Sequence, residues 1–420
     1  MFNTMKKLIF TSFLFLCFCF VNLYSQDLYL VQGRILAEDT RDPLITASIS
    51  VEGTRLSSVT NRDGFFTIRV PKSEINGNIV FKHLGYENKT VPINTLIAKP
   101  TNQVLMMPVS TTLKEIEVIG GDGTLLVKEA LSRIMLNYSD DPEMMVSFYR
   151  EAIKKGSKYI SLVEAVLDIY KTSYSSISDD QAKIYIGRKA TDISAKDTIL
   201  LRFQGGISNA LLLDIAKNPE IVFGKTGDYY FYTIEGMEQI NDKPNYVIHF
   251  EPKPGIEEIL FRGTIYLDKE SLAFNRMEFN MNVEGRKDAA ALFIRKKPIR
   301  MKVDIDHAAY YVDYMEQNGK WYLNHTATDV GFKVRWTNRL FGLFATNYNV
   351  TSEIAVTDKY SENVNKFPRE ERISSTDVIS EKVEYFKDPN FWGEYTIIEP
   401  DKEISNAIQR LSGKLLKRSE

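Results

Sequence analysis

Cysteine is almost missing from this chain. Cys17 and Cys19 are the two in 420 residues, and both lie in an apolar run near the amino terminus. With that run removed, no disulfide, thiolate metal site or cysteine nucleophile is available. Histidine is nearly as scarce: His83, His249, His307 and His325 are the four. None is spaced from another as paired zinc ligands are on a helix or strand, so a zinc hydrolase site is not expected. Charge is balanced, 53 basic against 55 acidic residues, and no net field draws the protein to nucleic acid. Beyond the amino-terminal run, no apolar stretch is long enough to span a bilayer as a helix.

The amino terminus reads as a secretory signal. Lys6 and Lys7 precede Leu8-Ile9-Phe10 and Phe13-Leu14-Phe15-Leu16, with Asn22 and Ser25 closing the run. Its shortness favours cleavage near Ser25–Gln26, with an uncleaved anchor as the alternative. A lipoprotein would need a small residue before the cysteine, where Leu16 and Phe18 stand instead. The remaining stretch of about 395 residues suffices for two or three cores. Aromatic residues make up 12%, mostly Tyr and Phe, which suits broad β-sheets with apolar interiors.

Behind the signal, short apolar runs alternate with turn residues. Val31-Gln32-Gly33-Arg34-Ile35 is followed by Asp42-Pro43-Leu44, Ala47-Ser48-Ile49, Gly53-Thr54, Asn61-Arg62-Asp63-Gly64-Phe65-Phe66 and Leu84-Gly85-Tyr86. The spacing predicts a small antiparallel β-sandwich with seven-stranded-type topology. Asn61–Gly64 reads as a tight turn and Asn76-Gly77 as a hairpin. Asn61, Asp63 and Gly64 also imitate the start of a calcium loop, but Phe65 and Phe66 take the places of the next oxygen ligands. The order of these segments resembles the carboxypeptidase regulatory-like domain, a transthyretin-like sandwich that also precedes TonB-dependent transporters in Gram-negative envelopes. The resemblance implies the periplasm or outer membrane.

The boundaries follow as 1–25 signal, 27–109 sandwich, 110–123 linker, 124–357 second domain and 358–420 carboxy-terminal extension. Leu125, Val127, Ala130, Leu131, Ile134, Met135 and Tyr138 recur at helical spacing, with Thr124 as the expected N-cap and Asp140-Asp141-Pro142 as the stop. Tyr159–Lys171 is ambiguous, with alternation at Val163, Ala165, Leu167 and Ile169 favouring a strand. From Gln181 to Thr357 alternation dominates: Met277, Phe279, Met281 and Val283 against Glu278, Asn280, Asn282 and Glu284; Met301, Val303 and Ile305 against Lys302, Asp304 and Asp306. Short polar loops between such segments predict a large curved antiparallel sheet, of the kind that can form a half-barrel, with a few covering helices. A short helix is expected over Ala210–Lys217. The class is thus mainly β, with an α+β second domain. Phe386–Tyr395 reads as an aromatic loop before a closing helix bearing Ile404, Ile408, Leu411 and Leu415. Asp401 favours its start, and Lys414, Lys417 and Arg418 its end.

Gly263–Asp268 with Phe274–Glu278 resembles sheets of lipoprotein-sorting and lipoprotein-insertion proteins, whose half-barrels shelter acyl chains. Phe148-Tyr149-Arg150-Glu151, Asp168-Ile169-Tyr170-Lys171 and Asp388-Pro389-Asn390-Phe391-Trp392, together with the sandwich, resemble a family of secreted envelope proteins of unknown function named for the regulatory-like domain. A transporter would need a plug and a membrane barrel, for which the remaining chain is too short and too polar.

No catalytic constellation emerges. Gly205-Gly206-Ile207-Ser208-Asn209 lacks the closing glycine of a nucleophile elbow. Glu257 and Glu258 are adjacent, so on a strand they would point to opposite faces, and a solvated loop is the favoured reading. Arg295-Lys296-Lys297-Pro298 with Arg300 reads as a solvated loop, with an anionic lipid or glycan as the sharper alternative. Tyr246, Tyr266, Phe279 and Met281 pack as core if a helix covers the sheet, and line an apolar pocket if it opens. The expectation is a non-enzymatic envelope protein without catalytic residues, cofactor or metal. It would serve as scaffold or interaction module, or bind a lipid or acyl ligand. An envelope hydrolase acting on peptide or glycan, and an accessory subunit of a TonB-dependent transporter, are the alternatives.

Overall fold

The computed structural model describes residues 28–109, 121–192, 206–224, 228–240, 243–294, 299–336, 345–385 and 391–419. The signal, most of the linker, residues 295–298 and residues 386–390 lie outside them, as do the side chains of Lys414, Leu415, Lys417 and Arg418.

Seven strands build the front module: β1 (Leu28–Ala37), β2 (Ser48–Val51), β3 (Ser57–Val59), β4 (Phe65–Pro71), β5 (Asn78–Lys82), β6 (Lys89–Pro92) and β7 (Asn102–Met106). They form the sheets β4-β1-β7 and β3-β2-β5-β6. Val31, Ile35, Ile49, Phe66, Ile68 and Phe81 are buried in one cluster between the sheets. Two expectations are corrected. β1 and β7 run parallel, so the sandwich is not wholly antiparallel. Asn76-Gly77 is not a hairpin turn, because β4 pairs with β1 and β5 with β2. It carries the chain from one sheet to the other. The Asn61–Gly64 turn is structural: Asn61 Oδ1 accepts from the N–H groups of Asp63 and Phe65 at 3.0 and 2.9 Å. Gly64 supplies the left-handed φ of 78°.

The second unit is one open sheet of twelve strands. It comprises β8 (Gly121–Asp122), β9 (Glu143–Lys155), β10 (Lys158–Lys171), β11 (Gln181–Thr191), β12 (Tyr230–Ile240), β13 (Lys243–Pro252), β14 (Phe261–Asp268), β15 (Phe274–Met281), β16 (Met301–Gln317), β17 (Lys320–Trp336), β18 (Thr346–Tyr360) and β19 (Glu384–Tyr385). The order is β19-β11-β10-β9-β18-β17-β16-β15-β14-β13-β12-β8. All pairs are antiparallel except β11 with β19. The expected meander is real from β12 to β18, but β18 then pairs with β9. β9, β10 and β11 therefore belong to the same sheet as the meander.

Tyr159–Lys171 is a strand, as its alternation indicates. The Thr124 helix is shorter than expected: it runs Thr124–Ser132, breaks at Arg133 and resumes over Ile134–Asn137. Thr124 is its first residue, and Asp122 Oδ1 accepts the Thr124 N–H at 2.8 Å in the capping role. The break leaves Val127, Ala130, Ile134 and Tyr138 in the core while Leu125 and Met135 face outward. The helix expected over Ala210–Lys217 lies at Ile207–Leu212.

Alternation along each strand gives the sheet two faces. One is covered by the helices around residues 124–137, 207–223, 290–293 and 379–382, which bury Ile248, Ile265, Met277 and Val312 at one end and Val163 and Ile354 at the other. Beneath this cover Lys171, 2% exposed, sits between Asp180 at 2.5 Å and Asp214 at 2.7 Å. Tyr174 and Tyr314 donate their hydroxyls to Asp214 at 3.0 Å each. The other face is crossed by residues 391–401, here called the strap. Trp392 packs against Phe148 with ring centroids 5.6 Å apart, and the Arg188 guanidinium lies 4.7 Å from the indole. The closing helix, Lys402–Ser419, buries Ile404, Ile408 and Leu411. Asp401 caps it by accepting the Ile404 N–H at 2.7 Å.

The strap also holds the sandwich. Asn61 Nδ2 donates to the Glu399 carbonyl at 3.0 Å, Arg69 Nε to the Tyr395 carbonyl at 2.9 Å, and the Lys402 N–H to Asp63 at 2.8 Å. Ser57 Oγ reaches the Val356 carbonyl of β18 directly, at 2.8 Å. Trp392→Ala removes the ring between Phe148 and Arg188 and is expected to cost about 3–5 kcal/mol. Urea unfolding reads the loss, and limited proteolysis should cut the strap earlier than in the wild type.

Candidate functional site

Among the described residues, each face of the sheet carries a sizeable opening. On the helix-covered face a cavity of about 450 Å³ remains between the sheet and the 207–213 and 290–293 segments. Its wall is aromatic: Phe261 meets Phe279 edge-on at 5.5 Å, Phe279 stacks on Tyr310 at 5.3 Å, and Phe293 meets Phe332 at 6.1 Å. Met281, Leu292, Val330 and Val350 complete the apolar lining. Glu151, Thr328, Ser352 and the Tyr310 hydroxyl are the polar groups that the strands contribute, and Asn209 adds one from the cover. Tyr149 donates its hydroxyl to Glu151 Oε2 at 2.9 Å. Burial raises the Glu151 carboxyl above its ordinary range, against the opposing effect of that hydrogen bond.

Of the four residues proposed from sequence, Phe279 and Met281 line this cavity. Tyr246 packs against the same core without reaching the lining. Tyr266 is on the opposite face, and the physical reason is strand parity. Ile265 pairs with Met277 on the helix side, so Tyr266, opposite Arg276, points away. Sequence reasoning missed Phe261, Tyr310 and Phe332, which only the sheet order brings beside Phe279. It also missed Glu151, although that acid interrupts the Tyr149–Ile153 side of β9 and was legible as a break in pattern.

On the strap face a cleft of about 610 Å³ lies between the sandwich turn at Thr60–Arg62, the start of the closing helix and the sheet. A row of alternating charges runs along its edge. Arg188, Glu164, Arg150 and Glu353 occupy directly paired positions on β11, β10, β9 and β18. Arg150 bonds Glu164 at 2.7 Å, Glu353 at 3.2 Å and the strap carbonyl of Ile398 at 2.7 Å. Arg188 takes the second Glu164 oxygen at 2.7 Å. The row continues diagonally to His325 on β17, 3.6 Å from Glu353, and to Asp313 on β16, 3.8 Å away. His325 is 1% exposed, and neither ring nitrogen meets hydrogen-bond geometry. Burial alone would raise the Glu353 carboxyl, but His325 and Arg150 outweigh it and hold the group below its usual 4.5.

His307 is exposed and hydrogen-bonds Asp329 at 3.1 Å, while His83 bonds the carbonyls of Leu84 and Ile45. His307 and His325 thus lie beside carboxylates rather than alone. Among the described residues no serine hydroxyl is hydrogen-bonded to any histidine ring. Glu257 and Glu258 are exposed in a loop.

Residues 31–118 match the CarboxypepD_reg-like domain, so the front sandwich carries that family's signature. No curated protein matches the chain. Among solved structures, a DUF1329 family protein from Desulfovibrio piger shares 13% identity over 59% of this chain and 96% of its own, with a TM-score of 0.25. A 9R-lipoxygenase from Cyanothece shares 11% over 39% of this chain, which spans 43% of that enzyme, with a TM-score of 0.17. Neither superposition is close enough to transfer a property.

Arg150→Ala would leave the buried Glu164 and the half-buried Glu353 with one partner fewer each, at an expected cost of about 3 kcal/mol in urea unfolding. Because the folded Glu353 carboxyl is depressed, its stabilisation is complete above its unfolded value near 4.5 and is lost as pH falls through the lower folded value. The urea midpoint should drop on acidification through that window. Glu353→Gln should flatten this part of the profile.

Proposed function

We propose that this is a non-enzymatic protein of the bacterial envelope whose sheet domain binds an apolar ligand, with the sandwich as an interaction or spacer module. The observation that carries the reading is the cavity behind Phe261, Phe279, Phe293 and Phe332. Its roughly 450 Å³ falls within the 300–1,000 Å³ typical of small-molecule sites, and such sites are mostly apolar with a few placed polar groups. Beside the opening, Val127, Phe223, Phe250 and Phe274 are buried in one hydrophobic cluster on the same face. The export-type amino terminus and the CarboxypepD_reg-like sandwich support an envelope location.

N-phenyl-1-naphthylamine, an apolar probe that fluoresces out of water, should bind the full chain saturably. Val350→Phe places a ring in the cavity and should weaken the probe at least about tenfold. Its urea midpoint should stay within the roughly 1–3 kcal/mol of overpacking cost. Probe binding that is absent, or indifferent to Val350→Phe in a folded protein, would refute the reading.

A further inference from the structure

The cavity floor has an order that its volume does not convey. Glu151 pairs with Ser352, Ser352 with Thr328, Thr328 with Tyr310, and Tyr310 with Phe279. These residues form a single cross-strand row over β9, β18, β17, β16 and β15. Polarity falls steadily along it: a carboxylate, two hydroxyls, a phenol and a phenyl ring. Four strand spacings of about 4.8 Å place Glu151 roughly 19 Å from Phe279.

Resting on the apolar-ligand reading above, we infer that the site takes a single-chain amphiphile lying across the strands. Its hydrogen-bond-donating head, an ammonium above all, sits at Glu151 and its tail over Phe279 and Phe261. The head end is built to accept. Glu151 Oε2 is engaged by Tyr149, while Oε1 makes no further hydrogen bond among the described residues and belongs to a side chain that lines the cavity. Thr328 and Ser352 hydroxyls bond each other at 2.8 Å, which uses one of their two hydrogens and leaves the other for an ether or carbonyl next to the head. No lysine, arginine or histidine lines the cavity among the described residues, so a carboxylate head would meet Glu151 with no cation to offset it. The tail end is closed by aromatic faces that offer no hydrogen-bonding group besides the Tyr310 hydroxyl. An ionised Glu151 held in such surroundings is costly, and an ammonium head relieves that cost while a neutral or anionic head does not.

Displacement of N-phenyl-1-naphthylamine from the full chain by dodecylamine, dodecanol and dodecanoate at neutral pH isolates the head group at constant tail length. Dodecylamine should displace the probe at least about tenfold more tightly than dodecanoate, with dodecanol between them. Glu151→Gln should remove most of that preference while leaving dodecanol unchanged. Equal affinities in the wild type, or a preference that survives Glu151→Gln, would overturn the head-group assignment alone. Failure of the probe to bind at all would instead remove the cavity reading beneath it. The wild-type comparison needs no variant, so the inference stays open to refutation even if Glu151→Gln folds poorly.

Discussion

The guanidinium of Arg150 is the point on which the architecture turns. It joins Glu164 on one neighbouring strand to Glu353 on the other, and from the same plane reaches the backbone of the strap at Ile398. A side chain of this charge is stable in the interior only where its partners are fixed. That requirement works in reverse as a constraint on the sheet. A one-residue slip of β9 would carry Arg150 to the helix-covered face, among Val163, Ala165 and Ile354 of the neighbouring strands, where no carboxylate partners are stacked in register. The charged row thus specifies alignment at the seam where β18 closes on β9, the junction that joins the two halves of the sheet.

The two faces divide the labour. One buries apolar side chains under short helices and leaves a pocket where the cover is thin. The other carries the charges and receives the strap and the sandwich. Tyr149 and Arg150 illustrate the division: adjacent in the chain, they face opposite environments, and Glu151 returns to the apolar side. A tetrapeptide that reads as mixed and uninformative in one dimension therefore contributes to both openings of the molecule.

Local chemistry was legible in the sequence wherever a residue acts on its near neighbours. The Asn61–Gly64 turn, the β character of Tyr159–Lys171, the alternation of Met277–Met281 and the helix start at Asp401 are all set by residues within a few positions. Pairing across long separations was not. That β18 returns to β9, that Asn76-Gly77 passes between sheets rather than within one, and that Tyr266 turns away from Phe279 depend on which strands meet. The candidate site suffered in the same way: Phe279 and Met281 belong to it, but their companions Phe261, Tyr310 and Phe332 arrive from other strands. Glu151 was visible as an exception to its strand, yet an exception gains meaning only when the row it heads is known.

The contact between Asn61 and Glu399 spans 338 positions of the chain. Closing a loop of that length costs conformational entropy before any reward is collected. The sandwich has its own core, and its residues are synthesised before the strap that will hold it exists. The cleft between them is consequently the last part of the molecule to come into being. A chain that stops short of its final segment would keep a finished sandwich held only by direct contacts to the sheet such as Ser57 with Val356, and completion of the protein is recorded in the full seating of one domain against the other.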